Sequence, residues 1–258
     1  MRIVVLVKTV PDTWGDRKLD LETGLADRAA SESVLDEIGE RALEVALGFA
    51  DSHPGTEVVV LSMGDAASVA GLRKGLAMGA GSAVHVADEQ LLGADYGLTA
   101  EVIAAALRRT GFDLVITGNL STDGAGGVLP AMLAEWLDVP NLTSLASVEI
   151  TESRVSGARA TETGVATIEA ALPAVISITE ALPDARFSNF KGIMAAKKKP
   201  FEVVSVADLG VEIGDEAVGR SIVLAVTQRP ARTAGRKLID EGTAAEQLAD
   251  FLVSNRLA

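Results

Sequence analysis

The segment with the clearest chemical potential is a glycine-rich loop. Residues 118–127, called the glycine loop below, read GNLSTDGAGG and lie between a strand predicted over 114–117 and a helix predicted over 127–137. Glycines let backbone amides approach an anion closely, and the start of the following helix adds a favourable dipole. The spacing matches neither a P-loop nor the GxGxxG fingerprint. We therefore predict a phosphate-binding loop, with a flexible turn that binds nothing as the alternative.

Two other loops are predicted to reach the same edge of the molecule. Residues 8–15 follow the first predicted strand and include Trp14, and residues 63–65 follow the second. In an open parallel sheet, ligands lie beyond the carboxyl ends of the strands, where such loops meet. The sequence places neither His53 nor His85 in a triad and offers no obvious catalytic base. These patterns indicate binding, without visible catalysis.

A basic and apolar segment interrupts an otherwise acidic sequence. Residues 186–200, the docking segment, read RFSNFKGIMAAKKKP and contain two of the six phenylalanines and five cations. A lysine run is usually a solvated face, and Phe and Met usually enter the core. Apolar anchors that alternate with cations are instead typical of a surface that docks acidic partners.

The elements that position these loops alternate along the first half of the chain. Apolar runs predict strands over 2–7, 58–62, 83–86 and 114–117, and helical spacing predicts helices over 33–50, 66–78, 99–109 and 127–137. Ser31 or Ser33 is the candidate cap of the first helix, and Thr99 that of the third. Aromatics are only 3%, so the core is built from Val, Leu, Ile and Ala, which favours buried parallel strands. We predict an α/β fold with a doubly wound parallel sheet.

The pattern changes after Pro140. Short strand-like runs over 143–150, 154–162 and 165–170 predict an antiparallel excursion that returns to a buried strand over 174–178. From 182 to about 226 the sequence is irregular, and a final helix is predicted over 243–252. We predict three parts: an α/β nucleotide-binding domain over 1–180, a partner-recognition loop over 181–200 and an extended C-terminal arm over 201–258.

Composition and charge exclude several functional classes. The chain has no cysteine and two histidines, which excludes disulfides and thiolate metal sites, and we expect no bound metal. Its formal net charge of −13 repels phosphate backbones, so nucleic acid is not an expected partner. Met1 leads into an apolar strand, and no apolar stretch approaches the roughly 20 residues of a membrane span. We expect a cytoplasmic protein without membrane insertion.

Six short segments together resemble the β-subunit family of electron-transfer flavoproteins. They are VK at 7–8, LAMGA at 76–80 followed by HV at 85–86, DG at 123–124, LPAVIS at 172–177, RF at 186–187 and IMAAKKK at 193–199. The likeness runs from residue 1 to about 200, whereas the C-terminal arm matches mainly in length and in its final helix. The resemblance implies an α/β fold of the adenine nucleotide α-hydrolase kind.

The resemblance also implies bound nucleotides. Family members pair with an α subunit that holds a redox FAD, and the β subunit usually buries an AMP as a structural nucleotide. The family's AMP contacts fall on Leu6, Asp36, Glu37, Ile38, Gly39, Met63, Ser121, Thr122, Asp123, Gly124, Ala125, Gly126, Gly127, Val128, Leu129, Pro130, Ala131 and Met132. The glycine loop is then the phosphate cradle.

Partner and flavin contacts follow from the same resemblance. The docking residues fall on Phe187, Phe190, Lys191, Ile193, Met194, Lys197, Lys198 and Lys199, with Phe190 as the apolar anchor. The C-terminal arm is expected to wrap the partner subunit. An aromatic that approaches the flavin in relatives falls on Thr13, so we expect its neighbour Trp14 to substitute for it.

The sequence departs from the family pattern at several places. Relatives often have Asn-Pro where Asp36 and Glu37 stand, and Gln where Leu120 stands. A glutamate that helps to position a domain aligns with Ala166, which leaves that role unfilled. The glycine loop lacks the Asp-Gly-Asp-Thr run of many electron-bifurcating members, which favours AMP over a second FAD.

We therefore expect an electron carrier without catalytic turnover of its own. It would take electrons from acyl-CoA-type flavin dehydrogenases of fatty acid oxidation and pass them to a membrane quinone oxidoreductase. A β subunit of a bifurcating complex, with FAD in place of AMP, is the first alternative. A stand-alone adenine-nucleotide sensor and an adenine-nucleotide hydrolase are the others. The docking segment and the arm disfavour the sensor, and the missing P-loop disfavours the hydrolase.

Overall fold

The computed structural model describes residues 1–15, 17–213, 221–235 and 237–257. Internal contacts divide the chain into two units, Met1–Leu224 and Ala225–Ala258. The first unit contains all the described strands and the first five helices. The sixth helix is the regular element described in the second unit.

The elements follow the predicted alternation closely. The strands are β1 (Arg2–Leu6), β2 (Thr9–Pro11), β3 (Ser33–Leu35), β4 (Glu57–Met63), β5 (Ser82–Val86), β6 (Leu114–Gly118), β7 (Asn141–Leu145), β8 (Glu149–Ile150), β9 (Arg154–Thr161), β10 (Gly164–Ala171), β11 (Ala174–Ile178) and β12 (Phe201–Val204). The α-helices are α1 (Glu37–Ser52), α2 (Ser68–Met78), α3 (Tyr96–Thr110), α4 (Leu129–Leu137), α5 (Phe190–Ala196) and α6 (Ala244–Ser254).

The main sheet confirms the predicted doubly wound architecture. Its order is β10-β9-β7-β11-β6-β1-β4-β5-β12, and the strands from β7 to β12 in this order pair in parallel. Strands β8, β9 and β10 add the predicted antiparallel excursion at one end. The chain winds outward from β1 and β6 in opposite directions, which creates a switch point between them.

Apolar side chains cover both faces of the sheet. One core cluster joins Val5 and Ile116 to Leu43 of α1 and Leu72 of α2. The other joins Val4 and Val115 to Leu107 of α3 and to α4. Alternate residues of the same strands thus enter opposite cores, which explains why these strands are continuous apolar runs.

The predicted cap of the first helix is wrong. Ser33–Leu35 pairs antiparallel with Thr9–Pro11, so this segment is strand β3 and not the first helical turn. Helix α1 therefore begins at Glu37, with Asp36 in the N-cap position. Tertiary pairing overrides the local signal of Ser31 and Ser33 here.

The starts of the third and fourth helices also differ from prediction. Helix α3 begins three residues before Thr99, because Asp95 Oδ1 accepts a hydrogen bond from the Leu98 amide at 2.9 Å and caps the helix. Helix α4 begins at Leu129 because Gly127 has φ +65°, which is incompatible with a right-handed helix.

The described part of the stretch predicted to be irregular contains a helix, a strand and the short 3-10 helix Ala207–Leu209. Helix α5 packs on α2, and β12 extends the parallel sheet by pairing with β5 in the register Phe201–Ala83 to Val204–Val86. Among the described residues, no helix has the length and apolar character needed to cross a membrane. The same residues contain no cluster of three or more acidic or histidine side chains suited to a metal ion.

Candidate functional site

The candidate site lies where β1 and β6 leave the sheet side by side. Val5 is in register with Ile116, and the two strands run parallel. Lys8 follows β1 and the glycine loop follows β6, so both reach the carboxyl edge of the sheet at the switch point. This is the edge at which open α/β sheets bind ligands.

The glycine loop is a folded turn supported by its own side chains. Ser121 O accepts the Ala125 amide at 2.9 Å, and Asp123 Oδ1 accepts the Gly124 amide at 2.7 Å. Ala125 has φ +48° and Gly127 has φ +65°, both in the left-handed region. That conformation costs a non-glycine residue about 1 kcal/mol. A residue held there against this cost indicates that surrounding contacts determine the loop's shape.

Asp36 connects this loop to the start of α1. Its Oδ2 accepts hydrogen bonds from the Thr122 amide at 2.9 Å and from Thr122 Oγ1 at 3.4 Å. The residue is 2% exposed, and its Oδ1 is buried without a hydrogen-bond partner among the described residues. The pKa of Asp36 is raised, mainly by burial and further by the charge of Asp123. Hydrogen bonds from the Thr122 and Ile38 amides lower it, but by less. The connection therefore rests on a carboxyl group that is costly to ionise.

A second carboxylate in the loop has the opposite electrostatics. Asp123 Oδ1 lies 2.7 Å from Lys8 Nζ, and its Oδ2 lies 3.3 Å from Arg28 Nη2. Burial raises the pKa of Asp123, but hydrogen bonds from Lys8, Ser121 and the Gly124 amide, with the charge of Lys8, outweigh it and lower the pKa to about 2. Asp123 is therefore ionised across the physiological range and organises the cations around the loop.

Tyr96 packs directly on the glycine loop and is not among the residues predicted from the sequence. A Cβ at Gly126 would lie 2.0 Å from Tyr96 Oη and 2.4 Å from its Cζ, so only glycine leaves room for the ring. Tyr96 is the first residue of α3, and α3 begins at the same edge of the sheet. A helix start at Tyr96 would have been the available signal, but the predicted helix began three residues later, at Thr99.

Six of the remaining predicted nucleotide contacts fall into two groups. Ile38 and Gly39 lie at the switch point, because a Cβ at Gly118 would lie 2.5 Å from Ile38 Cγ2 and one at Gly39 would lie 3.5 Å from Val7 Cα. Half-buried side chains that pack on the core of α3 and α4 form the other group: Leu6, Met63, Leu129 and Met132. Pro130 is buried, whereas Glu37, Val128 and Ala131 are exposed.

The two predicted flavin-proximal residues lie on an exposed loop. Trp14 is 96% exposed, and Thr13 beside it is also exposed. The Trp14 amide donates to Asp12 Oδ1 at 3.0 Å, which forms a local turn. An indole this exposed contributes no packing to its own chain, so it is available to a partner.

The docking segment presents an apolar surface on a short helix. Phe187 is 99% exposed and Phe190 is 79% exposed, and Ile193 and Met194 are about half exposed. Asn189 caps α5 through its side chain, which accepts the Gly192 amide at 2.8 Å. Three of the predicted docking lysines are also exposed: Lys191, Lys197 and Lys198.

Lys199 differs from the other lysines of the docking segment. Its Nζ donates to Leu76 O at 2.8 Å and to Ala80 O at 2.6 Å, both at the end of α2. Burial lowers the pKa of Lys199. This lysine therefore binds its own chain, and the structure does not bring it together with the exposed docking residues.

Ion pairs to α1 fix the start of the docking segment. Arg186 donates to both carboxylate oxygens of Glu44, at 2.8 and 2.9 Å, and to Asp51 at 2.8 Å. Burial raises the pKa of Glu44, but Arg186 outweighs it and lowers the pKa. Further along, a Cβ at Gly192 would lie 2.3 Å from Ala77 O, so α5 rests closely on α2. The segment that carries the exposed apolar residues is therefore held by ion pairs to α1 and by close packing on α2.

Known proteins resemble this chain over nearly its whole length. Residues 23–209 match the family described as "Electron transfer flavoprotein domain". The chain is 46% identical to the electron transfer flavoprotein subunit beta of Mycobacterium bovis, with 99% of this chain and 98% of that protein covered. It is 45% identical, with the same coverage, to the corresponding subunit of Mycobacterium leprae. It is also 33% identical to the caffeyl-CoA reductase-Etf complex subunit CarD of Acetobacterium woodii, with 98% of this chain and 97% of that protein covered.

Replacing Asp36 should change stability in a pH-dependent way. A carboxyl group whose pKa is raised by folding stabilises the folded state below its ordinary pKa and loses that contribution as pH rises through the folded pKa. Asp36→Asn keeps an acceptor for Thr122 and cannot ionise. The melting temperature of Asp36→Asn minus that of the wild type should therefore be a few degrees larger at pH 7.5 than at pH 4.5.

Differential scanning calorimetry of the purified full-length protein at both pH values measures this difference. Asp27→Asn is the control, because Asp27 is exposed and also accepts a backbone amide, from Ala29 at 3.1 Å. An Asp36→Asn difference that stays constant with pH would show that burial of this carboxylate carries no electrostatic cost.

Proposed function

The chain belongs to the electron transfer flavoprotein family as a β subunit, and from that membership we propose that it forms the nucleotide-binding half of an electron-carrying heterodimer. The α subunit holds the redox FAD, and this chain binds AMP as a structural nucleotide. The observation that carries the proposal is the folded glycine loop at the switch point, where backbone amides and cations meet. The family is one of electron carriers, and the heterodimer accordingly passes electrons between other proteins.

AMP is the nucleotide that the loop favours. The loop reads Asp123-Gly124-Ala125-Gly126, without the Asp-Gly-Asp-Thr run of many bifurcating members of the family. FAD in this site is the second candidate, and the 33% identity to a subunit of a caffeyl-CoA reductase-Etf complex supports it. The two candidates predict different flavin contents. With AMP in this site, one heterodimer contains one FAD, and with FAD in this site it contains two.

The docking segment serves the exchange of electrons with partner proteins. Phe187, Phe190, Ile193 and Met194 form the apolar part of its surface, and exposed lysines surround them. Acyl-CoA-type dehydrogenases donate electrons there, and a quinone oxidoreductase accepts them. Apolar anchors of this kind supply binding energy, whereas rim charges mainly increase the association rate.

The C-terminal arm binds the α subunit. Its described residues beyond 224 include large apolar side chains that are exposed: Ile239, Leu248, Phe251, Val253 and Leu257. The unit Ala225–Ala258 is too short to bury enough apolar surface to fold by itself. A partner that covers these side chains supplies the missing burial, and the α subunit is that partner.

Nucleotide extracted from the purified heterodimer should consist of one AMP and one FAD. Gly126→Val should lower the AMP content severalfold, because the added Cβ would lie 2.0 Å from Tyr96 Oη and the ring or the loop has to move. Chromatography of the extracted nucleotides, with FAD as the internal standard, measures both quantities.

Gly48→Val is the matched control, because a Cβ at Gly48 meets nothing within 4 Å. Its AMP content should equal that of the wild type. Two FAD per heterodimer would favour the bifurcating alternative over AMP. An unchanged AMP content in Gly126→Val would remove the glycine loop from the site.

Phe190→Ala should slow electron transfer from a dehydrogenase severalfold or more. Burying the exposed ring in a partner pocket stabilises the complex by about 1.5–3 kcal/mol, and alanine loses most of this. FAD content, AMP content and pairing with the α subunit should be unchanged. Stopped-flow reduction of the heterodimer by its dehydrogenase measures the effect.

Leu92→Ala is the control, since Leu92 is also 79% exposed but lies outside the docking segment. Neutralising Lys197 and Lys198 together should flatten the salt dependence of the same rate, because exposed charges act at long range and are screened. A Phe190→Ala protein with the wild-type transfer rate and a lower melting temperature would make Phe190 a residue that packs on its own chain.

A further inference from the structure

Positive charge collects around the glycine loop in a chain that is otherwise acidic. Lys8 and Arg28 pair with Asp123, and Arg17 donates to Thr122 O. Two cations thus contact the Asp123 carboxylate, which is 10% exposed, and a third bonds to the backbone beside it, although the formal net charge of the chain is −13. One ion pair needs only one cation, so the surplus indicates a site for a further anion.

Lys8 has a donor to spare. Its ammonium group carries three N–H donors. Two of them face Asp123 Oδ1 at 2.7 Å and Ser121 Oγ at 3.3 Å. The side chain remains partly exposed, so the third donor is open to a ligand.

The Tyr96 hydroxyl is likewise without a partner in the described part of the chain, and it lies beside the same loop. A Cβ at Gly124 would lie 3.3 Å from Tyr96 Oη, 3.3 Å from Ser121 Oγ and 3.9 Å from Lys8 Nζ. These three polar atoms therefore converge on one glycine, whose missing side chain leaves the space between them open. An ammonium and two hydroxyls are groups that bind a phosphate.

We propose that Lys8 and Tyr96 bind the phosphate of the nucleotide in the glycine loop, an assignment that rests on the nucleotide site proposed above. Lys8 supplies the counter-charge, and the Tyr96 hydroxyl donates to a phosphate oxygen. Asp123 and Ser121 position the Lys8 ammonium before the ligand arrives, which reduces the entropy lost on binding. Both residues lie outside the set that the family resemblance assigns.

Adenosine separates this assignment from the proposed function, because it lacks the phosphate but keeps the base and the ribose. Full-length protein paired with its α subunit and treated with charcoal to remove bound nucleotide is titrated with AMP and with adenosine by calorimetry. Lys8→Met should weaken AMP binding about tenfold or more, the effect of a lost charge-assisted hydrogen bond, and Tyr96→Phe should weaken it severalfold. Adenosine affinity should be unchanged in both variants.

Two further variants control for structural damage. Lys74→Met removes a partly exposed lysine that pairs with Glu40, away from the loop, and should leave AMP affinity unchanged. Lys8→Arg keeps the charge and should retain most of the affinity. The salt dependence of AMP binding should decrease in Lys8→Met but not in Lys8→Arg.

Three results would overturn the proposal. Equal losses for AMP and adenosine would mean that the two side chains do not act on the phosphate, and wild-type AMP affinity in both variants would mean that they do not bind the ligand. A wild-type protein that binds neither AMP nor adenosine would refute the nucleotide site together with this assignment. If the site holds FAD instead, the same variants should lower the amount of FAD retained beyond one per heterodimer, and unchanged retention would refute the assignment.

Discussion

Because β1 and β6 pair in parallel at the centre of the sheet, the loops that follow them leave the sheet side by side. This pairing, with Val5 opposite Ile116, brings Lys8 within 2.7 Å of Asp123 although the two are 115 positions apart. The site exists only because the chain winds outward from this pair in both directions, so that no helix crosses between them at the carboxyl edge. The contacts of Lys8 with Ser121 and Asp123 of the glycine loop follow from that topology.

Helix α1 connects the glycine loop to the docking segment. Its N-cap residue, Asp36, binds the glycine loop, whereas Glu44 and Asp51 farther along bind Arg186 at the start of the docking segment. The helix has 16 residues and so spans about 24 Å. It is a rigid element with side-chain contacts near both ends. The glycine loop and the docking segment are therefore placed relative to each other by one helix and not by a chain of flexible loops.

The sequence predicted the parts of this molecule that are local in origin. Buried strands are continuous apolar runs, and the glycine loop is visible from composition and from its place after a strand. Contacts between distant side chains were not predictable: Asp36 and Thr122 are 86 positions apart, and nothing in either segment indicates their hydrogen bond. Lys197, Lys198 and Lys199 are identical in type, yet only Lys199 donates to the end of α2. Strand β12 escaped prediction because Glu202 and Val203 are exposed at the edge of the sheet.

The two carboxyl groups near the glycine loop bear on how the proposed anion site is linked to the stability of the fold. Asp123 has cationic partners and a pKa of about 2, whereas Asp36 has backbone amides, a hydroxyl and a raised pKa. In the site proposed above, a phosphate beside these groups adds negative charge, which the cations around the loop and the Tyr96 hydroxyl, without a partner among the described residues, would offset. Because the unfolded chain cannot arrange these groups, such a ligand would bind only the folded subunit and stabilise it by an amount that grows with the ligand concentration relative to Kd.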